Sequence, residues 1–221
     1  MRCKAQFRFS DELMALRERA ITNRNELGGP MKVDFDSKTL FPGPAKDGGF
    51  KKIYVDRAQV DWHSHTSKCS SRECAVGVPS GADVVNVILG SMTETGYVHI
   101  LFSKDGTYVI QTSKALIDRA RDTSQLGLIV CDVMTTVGRL HELYSHSRLP
   151  YKSYQTQLID GLRAIGFAIT LFPPGEHPVV EMQYNCAHEA REPFVPHISI
   201  YTPQIVLDKM KECRNKKPSS N

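Results

Sequence analysis

Gln59-Val60-Asp61-Trp62-His63-Ser64-His65 leads, after a polar loop, into Ser80-Gly81-Ala82-Asp83. Residues 59–62 read as a strand that delivers its end to the two histidines. Strand side chains repeat every two residues, so His63 and His65 point the same way. Ser80 is a fitting N-cap for a helix over 82–89. Two imidazoles on one strand face and a carboxylate at the start of a nearby helix can meet one metal ion. Three protein ligands and one open position are what a catalytic zinc site requires. The open position takes water, whose pKa the metal lowers toward neutrality. A further carboxylate must then move the proton.

The elements around this stretch are mixed. Residues 11–23 predict a helix: Leu13, Leu16 and Ile21 recur near helical spacing, Ser10 caps, and Asp11 and Glu12 suit the first turn. Glu26-Leu27-Gly28-Gly29 reads as the end of that helix, since glycine takes the left-handed turn readily. A strand over 31–35 follows, then a loop over 41–49 and a strand over 52–55. The stretch 66–79 is a polar loop. Strands over 97–102 and 107–111 form a hairpin across Lys104-Asp105-Gly106, where Asp-Gly signals the turn. Helices are predicted over 126–144, 154–164 and 203–213, strands over 167–172 and 197–201, and a frayed tail over 216–221. This order predicts an α/β or α+β fold with a mixed sheet flanked by helices.

Composition sets bounds. The 221 residues fit one domain, or one domain with an elaborated second half, and can bury a full core. A hydrophobic fraction of 41%, a charged fraction of 24% and a net charge of +4 are those of an ordinary globular chain, with no nucleic-acid signature. No apolar run approaches the ~20 residues of a membrane span. Met1-Arg2-Cys3-Lys4 runs directly into mixed polar sequence rather than a secretory leader. The six scattered cysteines form no CxxC pair. Together these features predict an intracellular, cytoplasmic protein with mostly reduced thiols.

Glu26, then His63-Ser64-His65, then Ser80-Gly81-Ala82-Asp83, resembles the Glu…HxH[P]…SxxD motif of the JAMM (MPN, JAB) zinc metalloproteases. The resemblance covers roughly residues 11–111 and includes the element order and the hairpin with its Asp-Gly turn. It implies an MPN/JAB-like, cytidine-deaminase-like fold over 1–113, with 114–221 a helical and mixed C-terminal elaboration or part of the same domain. His63, His65 and Asp83 match the zinc ligands. Glu26 matches the general acid/base, and Ser80 the serine that stabilises the oxyanion. The implied chemistry is hydrolysis of peptide or isopeptide bonds, with proteins carrying ubiquitin or a ubiquitin-like modifier as the substrate class. The alternative is a non-catalytic MPN-fold scaffold with a protein assembly partner. Two departures stand out: Thr66 replaces the usual proline, and 15 positions (80 − 65) separate His65 from Ser80, several more than in the family.

Other groups compete for roles. Asp34, Asp36, Asp56 and Asp61 are alternative proton shuttles. Asp61, two positions before His63, also suits a partner behind a metal ligand. Cys69 and Cys74 read as loop thiols, with a second metal or a redox pair as the sharper readings. His141-Glu142-Leu143-Tyr144-Ser145-His146 resembles HExxH, but i and i+5 do not share a helix face. Cys186-Ala187-His188-Glu189 reads as a loop. The basic stretch 209–217 reads as a solvated helix face rather than a nucleic-acid contact. Trp62 reads as core beneath the site.

Overall fold

The computed structural model describes residues 2–48, 58–66, 77–186 and 204–215. In chain order the elements are β1 (Arg2–Phe9), α1 (Asp11–Thr22), β2 (Leu27–Asp34), β3 (Thr39–Pro42), β4 (Lys46–Asp47), β5 (Val60–Ser64), α2 (Gly81–Thr93) and β6 (Val98–Ser103). They continue with β7 (Gly106–Thr112), α3 (Lys114–Ala120), α4 (Thr123–Ser145), α5 (Tyr151–Ile165), β8 (Phe167–Phe172), β9 (Val179–Asn185) and α6 (Gln204–Asn215). The strands form one mixed sheet in the order β8-β7-β6-β5-β2-β3-β1-β9, with β4 paired to β2. The broad α+β class expected from the element order is therefore present.

Two apolar cores lie on opposite faces of this sheet. On one, α1 presents Leu13, Leu16 and Ala20 to Phe7, Phe9, Leu40, Trp62, Ile100 and Phe102. On the other, α2, α4 and α5 close over Leu101, Tyr108 and Ile110. Alternation along β5 and β6 explains the split. Val60, Trp62, Ile100 and Phe102 face α1, whereas Asp61, His63, His99 and Leu101 lie on the alternate positions. Trp62 is core, as expected, and its ring packs on Phe102 with centroids 5.3 Å apart.

The chain beyond residue 113 completes this sheet. β8 pairs antiparallel with β7, and β9 pairs antiparallel with β1 at the opposite edge. α4 lies on α2, α3, α5 and α6, so it forms an outer layer over the α2 side.

Several expectations are corrected. The helix α1 ends at Thr22, and Gly28 and Gly29 belong to β2 rather than to a helix C-cap. Their role is close approach: a Cβ on Gly29 would overlap the Pro44 carbonyl, and Gly28 pairs with His63. The region read as a loop over 41–49 contains the end of β3 and the short β4. The opening polar segment is β1, in which Phe7 and Phe9 are buried at alternate positions while Lys4, Gln6 and Arg8 are more exposed. Among the described residues, the thiols expected to be reduced are paired in two disulfides, Cys3–Cys186 and Cys131–Cys213. Separations of 183 and 82 residues give no spacing signal by which a sequence could reveal them. The strands read over 52–55 and 197–201, Cys69, Cys74, Asp56, His188, Glu189, residues 67–76 of the polar loop and the tail over 216–221 lie outside the described residues. Among the described residues no helix is long and apolar enough to cross a membrane.

Candidate metal centre

Parallel pairing of β5 with β6 and antiparallel pairing with β2 hold the first two ligand candidates. His63 stands in β5 opposite Gly28 and Leu101. The His65 N–H continues the ladder by donating to the Phe102 carbonyl at 2.9 Å. The third candidate comes from α2. That helix is rich in the β-branched Val84, Val85, Val87 and Ile88, which have modest helix propensity, so burial rather than propensity sustains it. Its first turn is fixed by a reciprocal cap. The Asp83 N–H donates to Ser80 Oγ at 3.2 Å, and the Ser80 N–H donates to Asp83 Oδ2 at 2.7 Å. The cap aims the Asp83 carboxylate, which also lies favourably at the positive end of the helix.

The three side chains converge. His63 Nε2 lies 3.2 Å from His65 Nε2 and 3.4 Å from Asp83 Oδ1, and His65 Nε2 lies 3.3 Å from Asp83 Oδ2. Among the described residues this is the group of three whose candidate ligand atoms all fall within 4.8 Å of one another. Four-coordinate zinc with Zn–N bonds of about 2.0–2.1 Å spaces its ligand atoms about 3.3 Å apart along each tetrahedral edge. The donor types and their separations therefore fit a zinc-sized cation. Burial tends to raise the Asp83 pKa, but the charge and hydrogen bond of His63 and those of His65 outweigh it and hold this carboxyl well below the usual range.

Glu26 borders the group. Its backbone is fixed on both sides: Leu27 N–H donates to the buried Ser64 Oγ at 3.0 Å, and Gly48 N–H donates to the Glu26 carbonyl at 2.9 Å. Burial pushes the Glu26 carboxyl up to about 7, with His65 drawing it down and Asp83 adding to the rise. The competing carboxylates are placed otherwise. Asp34 turns the β2–β3 corner, accepting from Asp36 N–H, Ser37 N–H and Ser37 Oγ–H at 2.9, 3.1 and 2.7 Å, and Asp36 lies in the same corner. Asp61 is buried behind His63, where Oδ1 lies 2.5 Å from His99 Nδ1 and the His99 Nε2 lies 2.8 Å from His63 Nδ1. The Tyr97 hydroxyl donates to Asp61 at 2.8–2.9 Å.

Ser64, Tyr97 and His99 were not singled out from sequence. His99 lies 36 positions beyond His63, and only the parallel register, which sets Asp61 opposite His99, brings them together. The second half of the chain also reaches this neighbourhood. Tyr151 of α5 donates to Asp105 in the β6–β7 turn, whose carboxyl burial pushes up and whose field is shared with Lys104 and His65. By contrast, His141 lies within α4 and His146 is its C-cap, with Nδ1 2.9 Å from the Glu142 carbonyl, so they form no ligand pair. No protein-family model, no curated protein and no solved structure matches the chain.

Proposed function

We propose that the chain is a JAMM-type zinc metallopeptidase with an MPN/JAB-like fold, hydrolysing peptide or isopeptide bonds. The observation that carries this reading is the His63–His65–Asp83 convergence, with edges of 3.2–3.4 Å, beside a carboxyl raised to about 7. The arrangement of α1, Glu26 ahead of β2, β5 into the histidines, the Ser80–Asp83 cap and the β6–β7 hairpin supports the same reading. His63, His65 and Asp83 would hold the ion. Zinc would supply Lewis acidity and make water a nucleophile near neutral pH.

Glu26 takes the proton from the attacking water and returns it to the leaving amine. A base with a pKa near the working pH combines availability with driving force. Ser80 Oγ accepts one backbone N–H, and as a hydroxyl it also has a proton to donate to the developing oxyanion. The substrate class proposed is protein conjugates of ubiquitin or a ubiquitin-like modifier. The paired cysteines favour an oxidising compartment over the cytoplasm read from the sequence.

Metal analysis of the purified full chain should find stoichiometric zinc, lost in His63→Ala and in Asp83→Ala. Linked ubiquitin and modifier-fused peptides should be cleaved by the wild type and not by Glu26→Gln. Absence of zinc in the wild type would overturn the metal reading. Zinc without cleavage of any such substrate would leave the non-catalytic scaffold in its place.

A further inference from the structure

Behind the proposed ligand His63 lies a buried chain of polar groups that the peptidase chemistry does not use. Tyr97, Asp61 and His99 are 3%, 3% and 6% exposed, and His63 itself is 5% exposed. Buried polar groups are costly unless each finds a partner, and here each does. Asp61 comes from β5, His99 from the register-paired position in β6, and Tyr97 from the residue before β6. Room for the Tyr97 ring is made by Gly90 of α2, where a Cβ would approach the ring carbons to 2.6 Å. Elements of both the sheet and α2 thus build this chain.

We infer that Tyr97, Asp61 and His99 are positioning residues that hold the His63 imidazole in its Nδ1–H tautomer, with the Nε2 lone pair turned toward His65 and Asp83. The inference rests on the metal reading above for its purpose, but its geometry stands separately. A carboxylate only accepts, and both Asp61 oxygens receive the Tyr97 hydroxyl, at 2.9 and 2.8 Å. Facing Oδ1 at 2.5 Å, His99 Nδ1 must carry a hydrogen. A neutral imidazole with its hydrogen on Nδ1 has a bare Nε2. That bare nitrogen lies 2.8 Å from His63 Nδ1, which therefore supplies the hydrogen between them. His63 Nε2 is left as a lone pair, the form in which a histidine binds metal. Direction thus passes from a tyrosine hydroxyl through a carboxylate and two imidazoles to the site. Partners of this kind orient a ligand ring and raise its basicity, and losing one typically costs 10–100-fold in metal affinity.

The test reads the hydrogens directly. Long-range proton–nitrogen correlation spectra of the ¹⁵N-labelled full chain, as purified and after zinc removal, distinguish the two nitrogens of each ring. Expected is a protonated Nδ1 and an unprotonated Nε2 for His99, and a protonated Nδ1 for His63 in both samples. Asp61→Asn should reverse the chain: Asn Oδ1 accepts from Tyr97, its amide faces His99 Nδ1, and the hydrogen on His63 moves to Nε2. Zinc affinity of that variant, measured by competition with a chromophoric chelator, should fall on the order of 10–100-fold. Tyr97→Phe, which keeps the carboxylate, should lose less. Wild-type His63 carrying its hydrogen on Nε2 would overturn the inference, as would a folded Asp61→Asn protein whose affinity is within twofold of wild type. If Asp61→Asn does not fold, the wild-type spectrum alone decides. A wild type that binds no zinc yet shows the expected tautomers would sink the peptidase reading and leave the positioning chain standing.

Discussion

Glu26 is the residue at which stability and chemistry pull in opposite directions. Its pKa is raised from 4.5 to about 7 by burial, with His65 opposing and Asp83 assisting. In the window between those values the folded state keeps a proton that the unfolded state has released. Stability therefore falls as pH rises through that window, and Glu26 charges at a cost above it. In the metal-free protein, Glu26→Gln should melt a few degrees higher than wild type at pH 8 and equally at pH 4, by calorimetry. A neighbouring cation favours the carboxylate, so the acid limb of kcat/KM in the zinc-loaded protein should have its midpoint below 7. The same variant should retain zinc and lose at least about 10²-fold in kcat, the usual scale of general acid–base catalysis. A kcat within a few-fold of wild type would remove Glu26 from the mechanism. Only the resemblance pointed to it, since the local reading put it at a helix end and the structure sets it ahead of β2. Its environment was not legible, since Ser64 and Gly48, which fix its backbone, come from distant segments.

At the level of single elements, α2 links capping to ligand geometry. Ser80→Ala removes the acceptor for the Asp83 N–H, and losing such a cap costs about 1 kcal/mol. In a domain of this size that lowers Tm by roughly 2–4 °C, while the Ser80 N–H that holds Asp83 Oδ2 is kept. Ser80→Ala should accordingly lose melting temperature but keep most of its zinc affinity, with Ser80→Thr restoring the Tm. Ser80→Gly separates the two roles. Glycine at the cap costs only a few tenths of a kcal/mol, yet it removes the hydroxyl, so a fall in kcat with near-normal Tm would assign the hydroxyl to the chemistry. α2 was legible because its cap and apolar run agree, and the β6–β7 hairpin because Asp-Gly marks its turn. The glycines of β2 misled because glycine serves both helix ends and close backbone approach, and only the Pro44 carbonyl above Gly29 decides between them. The strand β1 and the edge strand β9 beside it carry the period of two, with Phe7 and Phe9 in one and Val180, Met182 and Tyr184 in the other buried at alternate positions. Their polar alternates kept them from being assigned as strands, and the pairing of Cys3 with Tyr184 spans nearly the whole chain.

Across the whole molecule, the far-apart ends of the chain are tied into one sheet and one helical layer by covalent bonds remote from the site. Cys3–Cys186 closes the β1–β9 edge, three strands beyond β5 in the sheet order, and Cys131–Cys213 fastens α6 to the outer face of α4. Cross-links over loops this long act mainly on the unfolded chain, and removing one typically costs about 2–5 kcal/mol. Distant sites add nearly independently, so stability and metal binding should separate. Replacing Cys131 and Cys213 together by serine should lower Tm by several degrees while leaving zinc stoichiometry and the His63 tautomer unchanged. A loss of zinc in that variant would show that α6 and α4 support the ligands through α2 after all. Thiol titration of the denatured, unreduced protein supplies the companion measurement. With Cys3, Cys186, Cys131 and Cys213 paired among the described residues, no more than two of the six cysteines should react (6 − 4 = 2). Six reactive thiols would mean that the protein folds reduced, and the noncovalent β1–β9 ladder and the α4–α6 contact must then hold the two edges unaided.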